Sequence, residues 1–235
     1  MTLLTNSIPE FARIVGTSVQ RVLHDLREHH ANEDPSRRKS VKSMFQKAIY
    51  TRLMHAKMPI GEDRFHIRLA RWQLPGIPLR VARRALRQLN DLRGLVPPRI
   101  SAAILSTAWN RWCTSRRFQV RCGRDCTLGC GADEDSTEHY SRCVIMHNFA
   151  TEFLRLSFCR ARGLEVFTFC YDGWSSQKEM IKAGILIYAT YRVTETLRKE
   201  NAVHDAATVS HMLQQASREA VKGHVGCMRI LDDPR

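Results

Sequence analysis

Apolar positions recur every three or four residues along most of this chain, and no stretch of sustained two-residue alternation stands out. Ile8, Phe11, Ile14, Val15, Val19, Val22, Leu23 and Leu26 predict an amphipathic helix over residues 8–30, with Pro9 suited to its first turn. Residues 31–40 (ANEDPSRRKS) are polar and read as a loop, and a second helix is expected over 41–57, ending before Met58 and Pro59. Phe65, Leu69 and Trp72 share one face over 63–72, as do Leu79, Ala82, Leu86 and Leu89 over 78–92. Pro97 and Pro98 interrupt the chain and start a helix over 99–112, whose Ile100, Ile104, Leu105, Ala108 and Trp112 point to a core. Further helices are expected over 145–160 (Phe149, Phe153, Leu154, Leu156), 177–199 (Ile181, Ile185, Tyr188, Leu197) and 206–222 (Val209, Leu213, Ala216, Ala220). Residues 169–174 read as irregular, and Val166-Phe167 or Gln119-Val120 are the places for a short strand beside the central cysteines.

Charge changes this picture. Residues 1–121 carry 23 Lys+Arg against 8 Asp+Glu and the remainder 14 against 15, so the formal excess of +14 lies ahead of the central cysteines. Arg outnumbers Lys 19 to 4 in the basic half, which favours planar, bidentate contacts with phosphates. Arg64, Arg68 and Arg71 line one predicted helix, and Arg80, Arg83, Arg84 and Arg87 line the next. Arg111, Arg116, Arg117 and Arg121 follow. Each stripe alone reads as a solvated face; together they suggest a shared phosphate-binding surface and a nucleic-acid partner, RNA or DNA.

Composition is that of a globular chain, 43% hydrophobic and 26% charged. The N-terminus MTLLTNSIPEF has neither a basic n-region nor a long apolar h-region, so no secretory signal is expected. No run of about 18 apolar residues suggests a membrane span. The expected location is intracellular, nuclear or cytoplasmic, where the eight cysteines stay reduced.

Crowded thiols in a reducing compartment point to metal. Cys126-x3-Cys130-x8-His139-x3-Cys143 offers three sulfurs and one imidazole at spacings that suit a closed, structural zinc site. Gly129 and Gly131 allow a tight turn around an ion, and His139 and Cys143 are expected one turn apart on one helix. Asp135 is the candidate N-cap of that helix with Glu138 three residues on, and Asp133 and Glu134 would compensate its dipole. Cys122 is an alternative partner for Cys126, or a free thiol. Cys113, Cys159, Cys170 and Cys227 read as small core residues, and His147 as a surface or core residue. The fold class is thus mainly α, a helical bundle with a small embedded zinc-knuckle-like element.

Four protein ligands leave no position for water or substrate. The chain also lacks a His-Glu-x-x-His helix, a P-loop and a Gly-x-Ser-x-Gly elbow. No enzymatic activity is expected.

The segment Ala108 to Phe118, followed by Cys126 to Cys143 with Asp135-Ser136-Thr137-Glu138-His139 at its centre, resembles the zinc-binding region that follows the polymerase core in reverse transcriptases of non-LTR retrotransposons. The likeness spans about residues 97–153. That family usually has two residues within the first cysteine pair and often a longer gap after the histidine; here both gaps are three. The resemblance implies that Cys126, Cys130, His139 and Cys143 bind zinc and that the region helps hold template RNA or target DNA. It also implies a C-terminal fragment or remnant with thumb-like basic helices. No Tyr-x-Asp-Asp element is present, so the polymerase does not carry over.

The expected organisation is a basic helical region over 1–95, a zinc-binding region over 96–160 and a C-terminal helical region over 161–235. The expected function is non-catalytic nucleic-acid binding through arginine-striped helices. The alternatives are a zinc-stabilised protein-docking module using the C-terminal helices, and a metal-dependent nuclease drawing on Asp172, Glu179 and Lys182.

Overall fold

The computed structural model describes residues 24, 62–70, 72, 78–119, 125–200 and 204–233. The helices expected over 8–30 and 41–57 therefore lie outside the described residues, except for His24, which is helical. The chain divides into two compact units, Met1–Pro59 and Ile60–Arg235, and every described residue except His24 belongs to the second.

Helices α1 (Glu62–Ala70), α2 (Leu79–Leu92) and α3 (Pro98–Ala108) carry most of the first three apolar stripes of this unit. However, α1 and α3 stop short of the expected 72 and 112, and Trp72 and Trp112 are buried from outside them. Phe65 and Leu69 of α1 are fully buried, and Ala82, Ala85, Leu86 and Leu89 of α2 are buried with them. Pro98 occupies the first turn of α3, where its missing N–H has no partner to lose. The central segment then forms two short helices, α4 (Thr137–Tyr140) and α5 (Val144–Glu152). A single 3-10 turn, Arg160–Arg162, leads into α6 (Gly163–Phe167). The long α7 (Gln177–Glu200) is followed by α8 (Ala206–Val221) and α9 (Val225–Asp232). No strand occurs among the described residues.

The core is organised by α7, which packs against α3 on one side and α8 on another. Its buried face is wide, taking in Ile181, Ile185, Leu186, Ala189, Val193 and Leu197. Burying each large aliphatic chain contributes about 1.5–3 kcal/mol. Gly184 sets the approach of α3, since a Cβ there would sit 2.8 Å from Ile100 Cγ2. Thr190 and Thr194 are buried too, but their hydroxyls donate to the carbonyls of Leu186 (2.8 Å) and Thr190 (2.9 Å), so neither hydroxyl is stranded. Arg99 at the start of α3 closes the far end of α8, donating to the carbonyls of Ala220 (2.8 Å) and Lys222 (2.5 Å).

Several local expectations need correction. Val166 and Phe167 belong to α6 rather than to a strand, and both side chains are buried within one helical turn. The helix expected over 145–160 stops at Glu152; beyond it Arg155 takes a left-handed backbone (φ 52°) that ends the helical path. Helix α9 was hidden in the sequence by its short length and exposed Val225 and Met228. Cys170 and Cys227 are buried as expected, whereas Cys113 and Cys159 lie exposed in non-helical chain.

Candidate metal centre and the basic connector

Between α3 and α4 the chain first forms a connector, residues 109–119, that enters and leaves through left-handed residues, Asn110 (φ 50°) and Gln119 (φ 55°). After the undescribed residues 120–124, a tight turn carries Cys126 and Cys130. The Gly129 N–H donates to the Cys126 carbonyl (2.8 Å) and the Cys126 N–H to the Ala132 carbonyl (2.8 Å), folding the loop onto itself. Gly129 and Gly131 both adopt positive φ (76° and 79°), the conformation a Cβ would strain.

The second pair of ligands differs from expectation. His139 and Cys143 do not share a helix: His139 lies in the single turn of α4, and Cys143 is the N-cap residue of α5. The break lies at a close backbone approach. Gly163, at the start of α6, lies against Ser141 so closely that a Cβ there would come within 1.7 Å of the Ser141 carbonyl oxygen.

The ligand atoms of Cys126, Cys130, His139 and Cys143 nevertheless all lie within 4.8 Å of one another, so these four can hold a metal ion. Cys126 Sγ and Cys143 Sγ are 3.9 Å apart, and Cys130 Sγ and His139 Nε2 3.2 Å. A tetrahedral ion with metal–sulfur bonds of about 2.3 Å and metal–nitrogen bonds of about 2.0–2.1 Å requires edges of about 3.8 and 3.6 Å. The electrostatics are uneven. A hydrogen bond with Cys126 favours the thiolate at Cys143, against the cost of burial, with help from His139 and the backbone N–H groups of Met146 and Ile145. The Cys143 thiol is thereby held far below its ordinary value, while the shared hydrogen bond and burial push Cys126 up. One ligand is thus predisposed to ionise, as metal binding requires.

The N-cap of α4 is Ser136, not Asp135: Ser136 Oγ accepts from the His139 N–H (2.9 Å), which fixes the backbone that carries the imidazole. Asp135, only 3% exposed, is instead the hub of a polar cluster. Its carboxylate accepts from the Ser115 N–H and hydroxyl (2.8 Å each), from both Nε (3.2 Å) and a terminal nitrogen (2.9 Å) of Arg198, and from the Tyr140 hydroxyl. Burial works to raise the Asp135 carboxyl, but these donors outweigh it and hold it below the usual carboxylate range. Trp112, fully buried, packs against Tyr140 (ring centroids 6.1 Å) and Tyr191 (5.5 Å). Asp135 therefore ties together the connector, the clasp and the end of α7. Nothing in the periodicity marks it, since Arg198 lies 63 residues away in sequence.

The predicted arginines fall in several settings. Arg64, Arg80, Arg83 and Arg87 are exposed on α1 and α2, and Arg111, Arg116 and Arg117 on the connector. Arg68 is half-buried, and so is Arg84, which donates to the Cys170 carbonyl (3.4 Å). Arg116 is engaged by Glu134 (3.0 Å) and Glu138 (3.9 Å). Arg71, Arg121 and Cys122 lie outside the described residues. Of the residues weighed for a nuclease, Asp172 is paired with Arg162 (2.5 Å), Glu179 accepts from the Ser175 N–H (2.7 Å), and Lys182 is buried. No described helix is long and apolar enough to cross a membrane.

Comparison of the chain with known protein families, with curated proteins and with solved structures gives no match in any of the three.

Proposed function

We propose that this chain is a zinc-stabilised, non-catalytic nucleic-acid-binding region of a retrotransposon reverse-transcriptase-like protein. The observation that carries the reading is the coupling of the four-ligand clasp to the arginine connector through Asp135, which bonds Ser115 on one side and precedes the His139 helix on the other. Three thiolates and one imidazole in a closed set suit zinc in a structural role, and Cys126, Cys130, His139 and Cys143 would hold it. Zinc would supply rigidity: it fixes the clasp, and Asp135 passes that order to the connector bearing Arg111 and Arg117, whose charges, unlike that of Arg116, no carboxylate among the described residues takes up. These side chains, with exposed arginines of α1 and α2, supply charge for phosphates.

The test is filter binding to DNA and RNA at two salt concentrations, together with elemental metal content. The expected result is one equivalent of zinc, lost in Cys143→Ala. Affinity should fall with salt at a log–log slope of about −0.7 to −0.9 per phosphate contacted. Absence of retention at low salt would sink the nucleic-acid reading.

A second reading, a protein-docking module, draws on a groove of about 850 Å³ between α8 and α9, lined by residues including His211, Arg218, Met228 and Leu231. Replacing Arg80, Arg83, Arg84 and Arg87 by alanine separates the two readings, since docking in that groove should survive the change.

A further inference from the structure

Phe118 is an apolar ring turned largely to solvent. It is 59% exposed, and among the described residues it is the one phenylalanine, tyrosine or tryptophan in the exposed class. Its backbone is nonetheless firmly held. The Phe118 N–H donates to the Thr114 carbonyl (3.2 Å), the Arg117 N–H to the Thr114 hydroxyl (3.3 Å), and the Gln119 N–H to the Arg116 carbonyl (3.2 Å). Thr114 is itself buried, and the preceding Ser115 is anchored twice on Asp135. The ring is thus presented to solvent by a rigid turn.

Its neighbours are cationic. The Arg117 guanidinium lies 5.5 Å from the Phe118 ring centroid and donates to the Trp112 carbonyl (3.3 Å), so it too is positioned. Arg111 and Arg117 have no carboxylate partner among the described residues, whereas Arg116 is neutralised by Glu134 and Glu138. A fixed, exposed ring beside the uncompensated Arg117 guanidinium matches a ligand that offers flat π-faces next to phosphates.

We infer that Phe118 is a base-stacking platform and that the connector selects single-stranded nucleic acid over duplex. The inference rests on the nucleic-acid reading above and deepens it by naming the class of strand. Inside a duplex the base faces are stacked on one another; an unpaired base can lie on Phe118 while Arg117 meets a flanking phosphate. Stacking of this kind tolerates any base, so sequence preference is expected to be weak.

The test uses the full zinc-loaded chain and fluorescein-labelled oligonucleotides of one sequence as single-stranded DNA, single-stranded RNA and duplex DNA. Wild type should bind the single strands more tightly than the duplex, and the DNA and RNA arms show which strand is preferred. Phe118→Ala should weaken single-strand binding by about 5- to 150-fold, the range that loss of one base–aromatic stack implies, and should leave duplex binding nearly unchanged. Phe118→Trp should retain affinity, and its added emission should be quenched by single strands. If wild type binds strands but Phe118→Ala binds them equally well, the stacking inference is overturned while the nucleic-acid reading stands. If wild type binds none of the three, both fall.

Discussion

Helix α7 puts Ile181, Ile185, Leu186, Val193 and Leu197 inside and meets α3 and α8 along its length. The connector and clasp, residues 109–143, bury a few large side chains, Trp112, Leu128 and Tyr140, and otherwise depend on point contacts. Those contacts are four ligand atoms, one buried carboxylate and a cap. The first region is held by many weak, non-directional contacts, so losing one leaves the rest in place. The second is held by few directional ones, so each should matter to its order out of proportion to the area it buries. Experiments that remove one contact at a time should therefore separate the two regions.

Metal removal should have the largest effect. Structural zinc sites contribute on the order of 10–16 kcal/mol of apparent binding energy at neutral pH. A chelator should expose Cys126, Cys130 and Cys143 to a thiol reagent while circular dichroism keeps most of the helical signal of α7 and α8. Complete loss of that signal would show that the two regions are one cooperative unit.

Gly163→Ala comes next. The new methyl would meet the Ser141 carbonyl oxygen at 1.7 Å, backbone against backbone, and should cost about 3 kcal/mol by urea unfolding. Because Ser141 lies between His139 and Cys143, the variant should also bind zinc more weakly, a loss that a core variant such as Gly184→Ala should not share.

Asp135→Asn leaves Arg198 without its carboxylate and should cost about 3 kcal/mol at pH 7. The sign of its pH dependence follows from the lowered carboxyl of the folded chain. The contribution is complete above the unfolded value of about 3.9 and is lost as pH falls through the folded one. The gap between wild type and variant, both without metal, should therefore stay constant from pH 7 to about 5 and narrow below about 4. A gap that widens on acidification would mean that Asp135 is not the ionised partner.

The smallest effect belongs to the helical region. Arg99→Ala removes two hydrogen bonds to the last carbonyls of α8 and should lower stability by about 1 kcal/mol without changing zinc affinity.

The same contrast governs what could be read from the chain. Apolar stripes announced α1, α2, α3, α7 and α8, because burial of one face imposes a 3.6-residue period that survives without any knowledge of partners. That Cys126, Cys130, His139 and Cys143 come together was legible for a different reason: cysteines and a histidine at short spacing suit a shared metal ion. What could not be read were pairings across long separations. Asp135 looked like a cap because it precedes an acidic helix start, yet its partners Ser115 and Arg198 lie 20 and 63 residues away. The break between α4 and α5 was equally hidden, and Gly163, which packs against it at Ser141, lies beyond both helices. Phe118 escaped notice because an exposed ring leaves no periodic trace.

The division of His139 and Cys143 between two helices would give a metal ion held by the clasp a task that ligands on one continuous helix would not. Two ligands one turn apart on a single rod grip a cation without bending anything. Here the angle a bound cation prefers would set the angle at which the polypeptide turns at Ser141, and α5 would take its heading from coordination geometry. Exchange for an ion with longer bonds to sulfur would then be felt as a change of direction in the chain and not only as a change of affinity.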